Sequence, residues 1–235
     1  MSNICRFLNK NCLLGACLLV SQALLLSPAA FAGCTSKPAP GVDWSGCKKT
    51  NKILRGRDLT GSKLDFTDFS SSDLSSVELS EANLRRAMMG KSILRNANLV
   101  GANLSKSLGY RANFSAADLR DANITKAEFS RANLSHAILV GTRMDKSEFG
   151  RVDFTGADLT RASLTFAYMA RSDLRSAILV DTDLTGAYLY LTNVKAADLS
   201  LVKGLTTEQL NIACGDDETV LPESITQRPS WRCAD

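Results

Sequence analysis

A large apolar residue recurs at every fifth position from Leu54 to Leu199 without a slip. Thirty positions belong to this series: 19 Leu, five Phe, three Met, Ile124, Val194 and a single exception, Gly109. Two residues before each lies a second restricted position. Of its 30 members 28 are Ala, Ser, Thr or Val, and only Lys52 and Arg57, at the start, depart. An amphipathic helix calls for apolar residues three or four apart, and a half-buried strand for every second. Neither accommodates five. One large and one small inward residue per five imply a chain that turns a corner every five residues. Four corners close a coil of about 20, and successive coils stack through strand-like hydrogen bonds about 4.8 Å apart.

Asp or Asn often stands between the two restricted positions, as in "ADL" (117–119) and "ANL" (132–134). This pattern resembles the pentapeptide-repeat family, A-(D/N)-L-x-x. The resemblance implies an all-β chain: a right-handed, quadrilateral (four-sided) parallel β-helix of about 7.5 coils, roughly 35 Å long. The large residues would stack in four columns and bury a continuous apolar core, as in other solenoids. Outward Asn and Asp would bond turn backbone groups, and Asn83, Asn103 and Asn123, which lie 20 apart, would form a stacked amide ladder. Met89 and Phe129, on either side of Gly109 in its column, would fill the gap it leaves.

The sequence divides into four parts. Residues 1–32 read as a secretory signal: Arg6 and Lys10, the apolar run "CLLGACLLVSQALLL" (12–26), and a small-x-small site at Ala30-Phe31-Ala32. The run is too short for a membrane span, so no span is expected in the mature chain. Residues 33–52 form an N-terminal cap, with Trp44 covering the first coil. The repeats occupy 53–203, and 204–235 form a C-terminal cap. There Thr206 and Gln209 make a capping box, placing a short helix at about 207–213 with Leu210 on the last coil.

After cleavage four cysteines remain: Cys34, Cys47, Cys214 and Cys233. An even count in an exported chain reads as disulfides. The two caps of such a rod lie at opposite ends, and a disulfide needs Cα atoms within about 7 Å. The pairing expected is therefore Cys34–Cys47 and Cys214–Cys233. A competing reading takes "FAGC" (31–34) as a lipoprotein box, which would lipidate Cys34 and leave Cys47 unpaired.

Written in rows of 20, the outer surface is not uniform. One corner column reads Phe66, Arg86, Lys106, Lys126, Lys146, Phe166, Gly186; the next reads Ser71, Lys91, Arg111, Arg131, Arg151, Arg171, Leu191. Of the ten Lys and Arg at this repeat position, nine lie in these adjacent columns. The face between them carries all four tyrosines, Tyr110, Tyr168, Tyr188 and Tyr190. These thirteen residues are the binding-face candidates, suited to a polyanion or a partner protein. Glu128 and Glu148, on the same face, would supply counter-charges to ladders that otherwise repel themselves.

With 28 Lys and Arg against 24 Asp and Glu, the chain is only mildly basic, which disfavours wholesale mimicry of DNA and general nucleic-acid binding. "GKS" (90–92) lacks the first glycine of a phosphate loop, since Arg85 stands there. "SGCK" (45–48) matches Ser-x-x-Lys without its companion motifs. The single histidine, His136, is isolated, and no Cys/His set has zinc-site spacing. No catalytic, metal or cofactor site is expected. The reading is a non-enzymatic scaffold of the cell envelope or exterior, periplasmic or secreted, a monomer or weak end-to-end dimer. Its partner would be a protein or polyanion outside the cytoplasm. The family also suggests an alternative, a DNA-mimicking inhibitor or protector of type II topoisomerase, which the signal and the basic columns oppose.

Overall fold

The computed structural model describes residues 33–227 and 229–233; the expected signal segment, 1–32, lies outside the described residues. The chain winds as a right-handed, four-sided β-helix. Each side of a coil makes one parallel bridge to the coil above, 20 residues on. The ladder that starts at Asp43↔Lys63 continues through Asn83, Asn103, Asn123, Arg143 and Ser163 to Asp183↔Lys203. Backbone bonding follows the same register: the N–H of Leu54 donates to the carbonyl of Asp73, and that of Asp73 to the carbonyl of Lys52.

Each corner is a hydrogen-bonded turn, such as Val77 N–H to Leu74 carbonyl. From Leu54 to Val194 the second residue after each large one lies in the left-handed region, Arg86 at φ 58° and Arg131 at φ 60° among them. An L-residue there costs roughly 1–2 kcal/mol relative to right-handed geometry. The corners hold because neighbouring bonds fix them from both sides. An Asx turn is one: the Asp58 carboxylate accepts from Thr60 N–H at 3.0 Å, and the Asn133 amide oxygen from Ser135 N–H at 2.8 Å. The expected ladder of Asn83, Asn103 and Asn123 side chains does not form. Their amide oxygens are committed to the N–H groups of Arg85, Ser105 and Thr125.

Inside, the large residues stack as a single core from Trp44 to Leu210. Most serines and threonines at the small positions are buried with a backbone partner: Thr142 and Ser147 donate to the carbonyls of Leu119 and Ile124, 2.8 and 2.7 Å away, whereas the Ser107 hydroxyl is buried without one. The coil begins earlier than residue 53. Trp44 and Lys49 occupy the large inward positions of a preceding coil, and Cys47 a small one. Trp44 is buried and faces Phe69 at 6.5 Å between ring centroids. The Lys49 ammonium lies 3.5 Å over the Trp44 ring and donates to the Cys34 carbonyl at 2.8 Å. Burial of that ammonium lowers its pKa, aided by Lys52.

At the other end α1, Thr207–Asn211, closes the rod with the Thr206/Gln209 capping box and a buried Leu210. It is two residues shorter than expected, because Ile212 already caps it. The Gln209 amide also donates to the carbonyls of Leu184 and Ala187, at 2.9 Å each. The Leu184 carbonyl also accepts from Ala187 N–H, so the amide adds to that turn and gives the Ala187 carbonyl a donor. Past α1 the chain rejoins the ladder, at Asn193↔Cys214 and Asp198↔Val220. Cys34 bonds Cys47 and Cys214 bonds Cys233, with Cα atoms 5.4 and 4.5 Å apart. No helix among the described residues is long and apolar enough to cross a membrane.

Candidate functional site

The basic corners arise directly from the coil. A residue in a left-handed turn cannot direct its side chain inward, so whatever stands there is displayed. Arg86, Lys91, Lys106, Arg111, Lys126, Arg131, Lys146, Arg151 and Arg171 are all exposed. Because the register is 20, each repeats one coil rise above the last, about 4.8 Å.

The structure draws only some of the candidates together. Arg131, Arg151, Arg171, Tyr168 and Tyr190 line one groove of about 470 Å³ with Ser130, Gly150 and Ala170. Tyr188 stands behind it, stacked on Tyr168 at 5.3 Å and on Tyr190 at 6.2 Å. Tyr110 is at the lower end of the same face, with the Arg111 guanidinium 5.3 Å from its ring centroid. Lys91 lies one coil below that. Arg86, Lys106, Lys126 and Lys146 form the opposite corner and do not line the groove; Arg86 sits 5.3 Å over Phe66.

The groove floor is not evident from the charged columns alone. Its signal is the row just before the arginine corner: Ser70, Gly90, Tyr110, Ser130, Gly150, Ala170, Tyr190. Three small residues lie between two tyrosines. A Cβ at Gly150 would come 3.2 Å from the Tyr168 ring, so glycine there keeps the ring seated and the floor low.

The column cations make no contact ion pair among the described residues. Ion pairs among the described residues are Arg55–Asp73, Arg120–Asp118, Arg175–Asp173 and Lys203–Asp181, at 2.5 to 2.9 Å. None includes a column residue. The expected neutralisation by Glu128 and Glu148 is not made by contact. Both stand on the flat of the face, whereas the cations stand on its corners. No carboxylate or imidazole lines the groove, so its residues can hold an anion and stack on a planar or apolar surface but have no general base to offer. His136 lies elsewhere, its ring over Gly156 on another corner.

The family description "pentapeptide repeats", in eight copies, matches residues 53–90, 94–125, 112–151, 127–165 and 167–203. No curated protein matches the chain. Among solved structures, the chain is similar to HetL, a pentapeptide-repeat protein involved in heterocyst differentiation regulation from the cyanobacterium Nostoc sp. strain PCC 7120. The identity is 25%, over 83% of this chain and 89% of that one, with a TM-score of 0.47. It is similar to QnrB1, a plasmid-mediated fluoroquinolone resistance protein, at 19% identity over 74% and 86%, with a TM-score of 0.48. A pentapeptide-repeat protein of the Arabidopsis thaliana thylakoid lumen is 25% identical over 60% and 70%, with a TM-score of 0.31.

Proposed function

The chain belongs to the pentapeptide-repeat family, and on that premise we propose that it is a non-enzymatic interaction scaffold outside the cytoplasm, a rigid rod that presents one basic, tyrosine-bearing face to an anionic partner. One observation carries this reading: the cations of two adjacent corners repeat coil after coil on one face, and none has a carboxylate partner among the described residues. Stacked like charges cost stability, and left-handed corners favour glycine or asparagine over arginine. Left-handed non-glycine residues stand on all four corners, so it is the stacked charges, from which folding gains nothing, that support the reading.

Two disulfides near the ends of the chain support an oxidising compartment, in line with the signal read at residues 1–32. Pairing of Cys34 with Cys47 favours a soluble rod over a lipid tether on Cys34. A duplex mimic of the topoisomerase type needs an acidic surface, and the most regular face of this rod has the opposite sign.

The test is salt-dependent retention on an immobilised polyanion, comparing the natural protein with Arg111→Ser/Arg131→Ser/Arg151→Ser. An electrostatic face elutes at distinctly higher salt than the variant. Co-elution at equal thermal stability would reject the reading. Mass spectrometry of the protein from its native host tests location. A chain starting at Gly33 and four hydrogens lighter than its reduced form is expected, and an unprocessed reduced chain would overturn export.

A further inference from the structure

The groove on this face has a length, a floor and two unlike walls, and these specify more than charge alone. Its arginine wall, Arg131, Arg151 and Arg171, spans three successive coils. Its floor of Ser130, Gly150 and Ala170 ends against Tyr190, and Tyr168 stands on the other wall. Building on the reading of this face as a binding surface, we propose that the groove binds a linear anionic polysaccharide, a chain of uronic-acid sugars laid along the rod axis with one sugar per coil.

Register is the first argument. The guanidinium groups recur at the coil rise, about 4.8 Å. An extended polypeptide presents same-side carboxylates every second residue, about 6.6–6.8 Å apart. One step already leaves it about 2 Å out of step with the arginines. A stacked nucleic-acid strand advances only about 3.4 Å per step along its axis, and its phosphates wind away from a straight wall. A pyranose chain linked through opposite ends of an extended ring advances by close to one coil rise per sugar. Successive sugars turn over, so the carboxylates that face the arginine wall recur about two coil rises apart. They meet Arg131 and Arg171 in the planar paired geometry that arginine favours, while Arg151 faces the hydroxyl edge of the sugar between them.

The tyrosine wall is the second argument. A sugar ring has an apolar C–H face rimmed by hydroxyls, and a tyrosine offers a flat apolar ring with a polar tip. Tyr168 is held by its stack on Tyr188, and Tyr188 by its stack on Tyr190, so the platform loses little freedom when covered. Gly150 leaves room for a ring to settle between platform and arginines. Glu128 and Glu148 supply the third. They stand on the same face below Tyr168 and would repel a chain that carries only negative charge, but they accept hydrogen bonds from sugar hydroxyls.

The test titrates the disulfide-intact protein with a β-1,4-linked uronate oligomer of about six sugars by calorimetry in about 0.15 M salt. Hexaglutamate, hexathymidylate and a neutral sugar oligomer of equal length serve as comparisons. The uronate should bind saturably and at least about tenfold more tightly than the others. Arg131→Gly/Arg151→Gly/Arg171→Gly should remove the binding. Ser130→Trp, which blocks the floor and leaves every charge in place, should weaken it about tenfold at unchanged melting temperature. Uronate binding no tighter than that of hexaglutamate or hexathymidylate overturns the polysaccharide, while arginine-dependent binding of those anions still upholds the basic face. Failure of every anion to bind overturns both.

Discussion

The ring of Phe129 occupies the space that a side chain at Gly109 would fill: a Cβ on Gly109 would fall 2.7 Å from Cδ1 of Phe129. The two residues are neighbours in one core column, one coil apart. The ring is held there by stacking on Phe114 at 5.2 Å and by an edge contact with Phe149 at 6.3 Å. A gap in the repeat and an oversized neighbour are thus one packing unit. Gly109→Leu alone should overpack the column and cost about 1–3 kcal/mol. Phe129→Leu alone should open a cavity with a loss of similar size. The double variant restores the ordinary leucine pair, so the losses should fail to add by about 0.5–3 kcal/mol. Equilibrium urea unfolding of the four proteins measures this, and strict additivity would show that the ring and the glycine are independent.

Arginine at a left-handed corner is held there against its own backbone preference. Arg151, at φ 61°, should therefore tolerate glycine well. Arg151→Gly should leave stability within about 1 kcal/mol of the natural protein or above it, since glycine adopts this geometry freely. Arg151→Val should lose more than about 1 kcal/mol, because a branched side chain crowds the same turn. Thermal melts of the two variants decide it. A clear loss in the glycine variant would mean that the arginine side chain supports the rod, and its role as a displayed group would fall.

Legibility in the sequence tracks how strictly each level of the structure is periodic. The core positions from Leu54 to Leu199 are readable because a large apolar residue fills each inward place, and the one exception among them, Gly109, points to Met89 and Phe129 as fillers, of which the Phe129 ring takes the space. The disulfides are readable because a rod separates its ends. The start of the coil is not, because Trp44 and Lys49 stand where Leu is usual and no longer look like repeats. A lysine survives at an inward position only because the Trp44 ring and the Cys34 carbonyl receive its ammonium. The candidate face is legible as two charged columns. Its groove is not, since it is made by what Ser130, Gly150 and Ala170 lack.

Each disulfide ties down one end of the chain, across 13 residues for Cys34–Cys47 and 19 for Cys214–Cys233. A loop of about 15 residues is worth roughly 3 kcal/mol in the chain-entropy account. In a solenoid, coils contact only their neighbours, so the loss should stay local. Replacing Cys214 and Cys233 with serine should speed amide exchange over residues 205–220, where α1 and the last bridges lie, and leave residues 84–164 protected. Hydrogen exchange read by mass spectrometry tests this. Loss of protection along the whole rod would show instead that the end governs a single cooperative unit.

Acid sensitivity should enter through the Asx turns. The Asp73 carboxyl is lowered to about 2, first by the Ser75 hydroxyl and then by the Ser75 backbone N–H, with Arg55 adding to both. Its folded value is below the ordinary one, so its contribution is fully present above about pH 3.9. It is lost as pH falls from there through about 2. Asparagine makes the same turn bond elsewhere in this column: Asn113 and Asn133 accept from Ser115 and Ser135 N–H at 2.9 and 2.8 Å. Asp73→Asn should therefore keep the turn and lose only the charged part, including the pair with Arg55. Melting temperatures of the two proteins should differ modestly at neutral pH and converge as the pH approaches about 2, where the natural carboxyl is itself protonated. Parallel curves across that range would show that the charge on Asp73 contributes nothing to the fold.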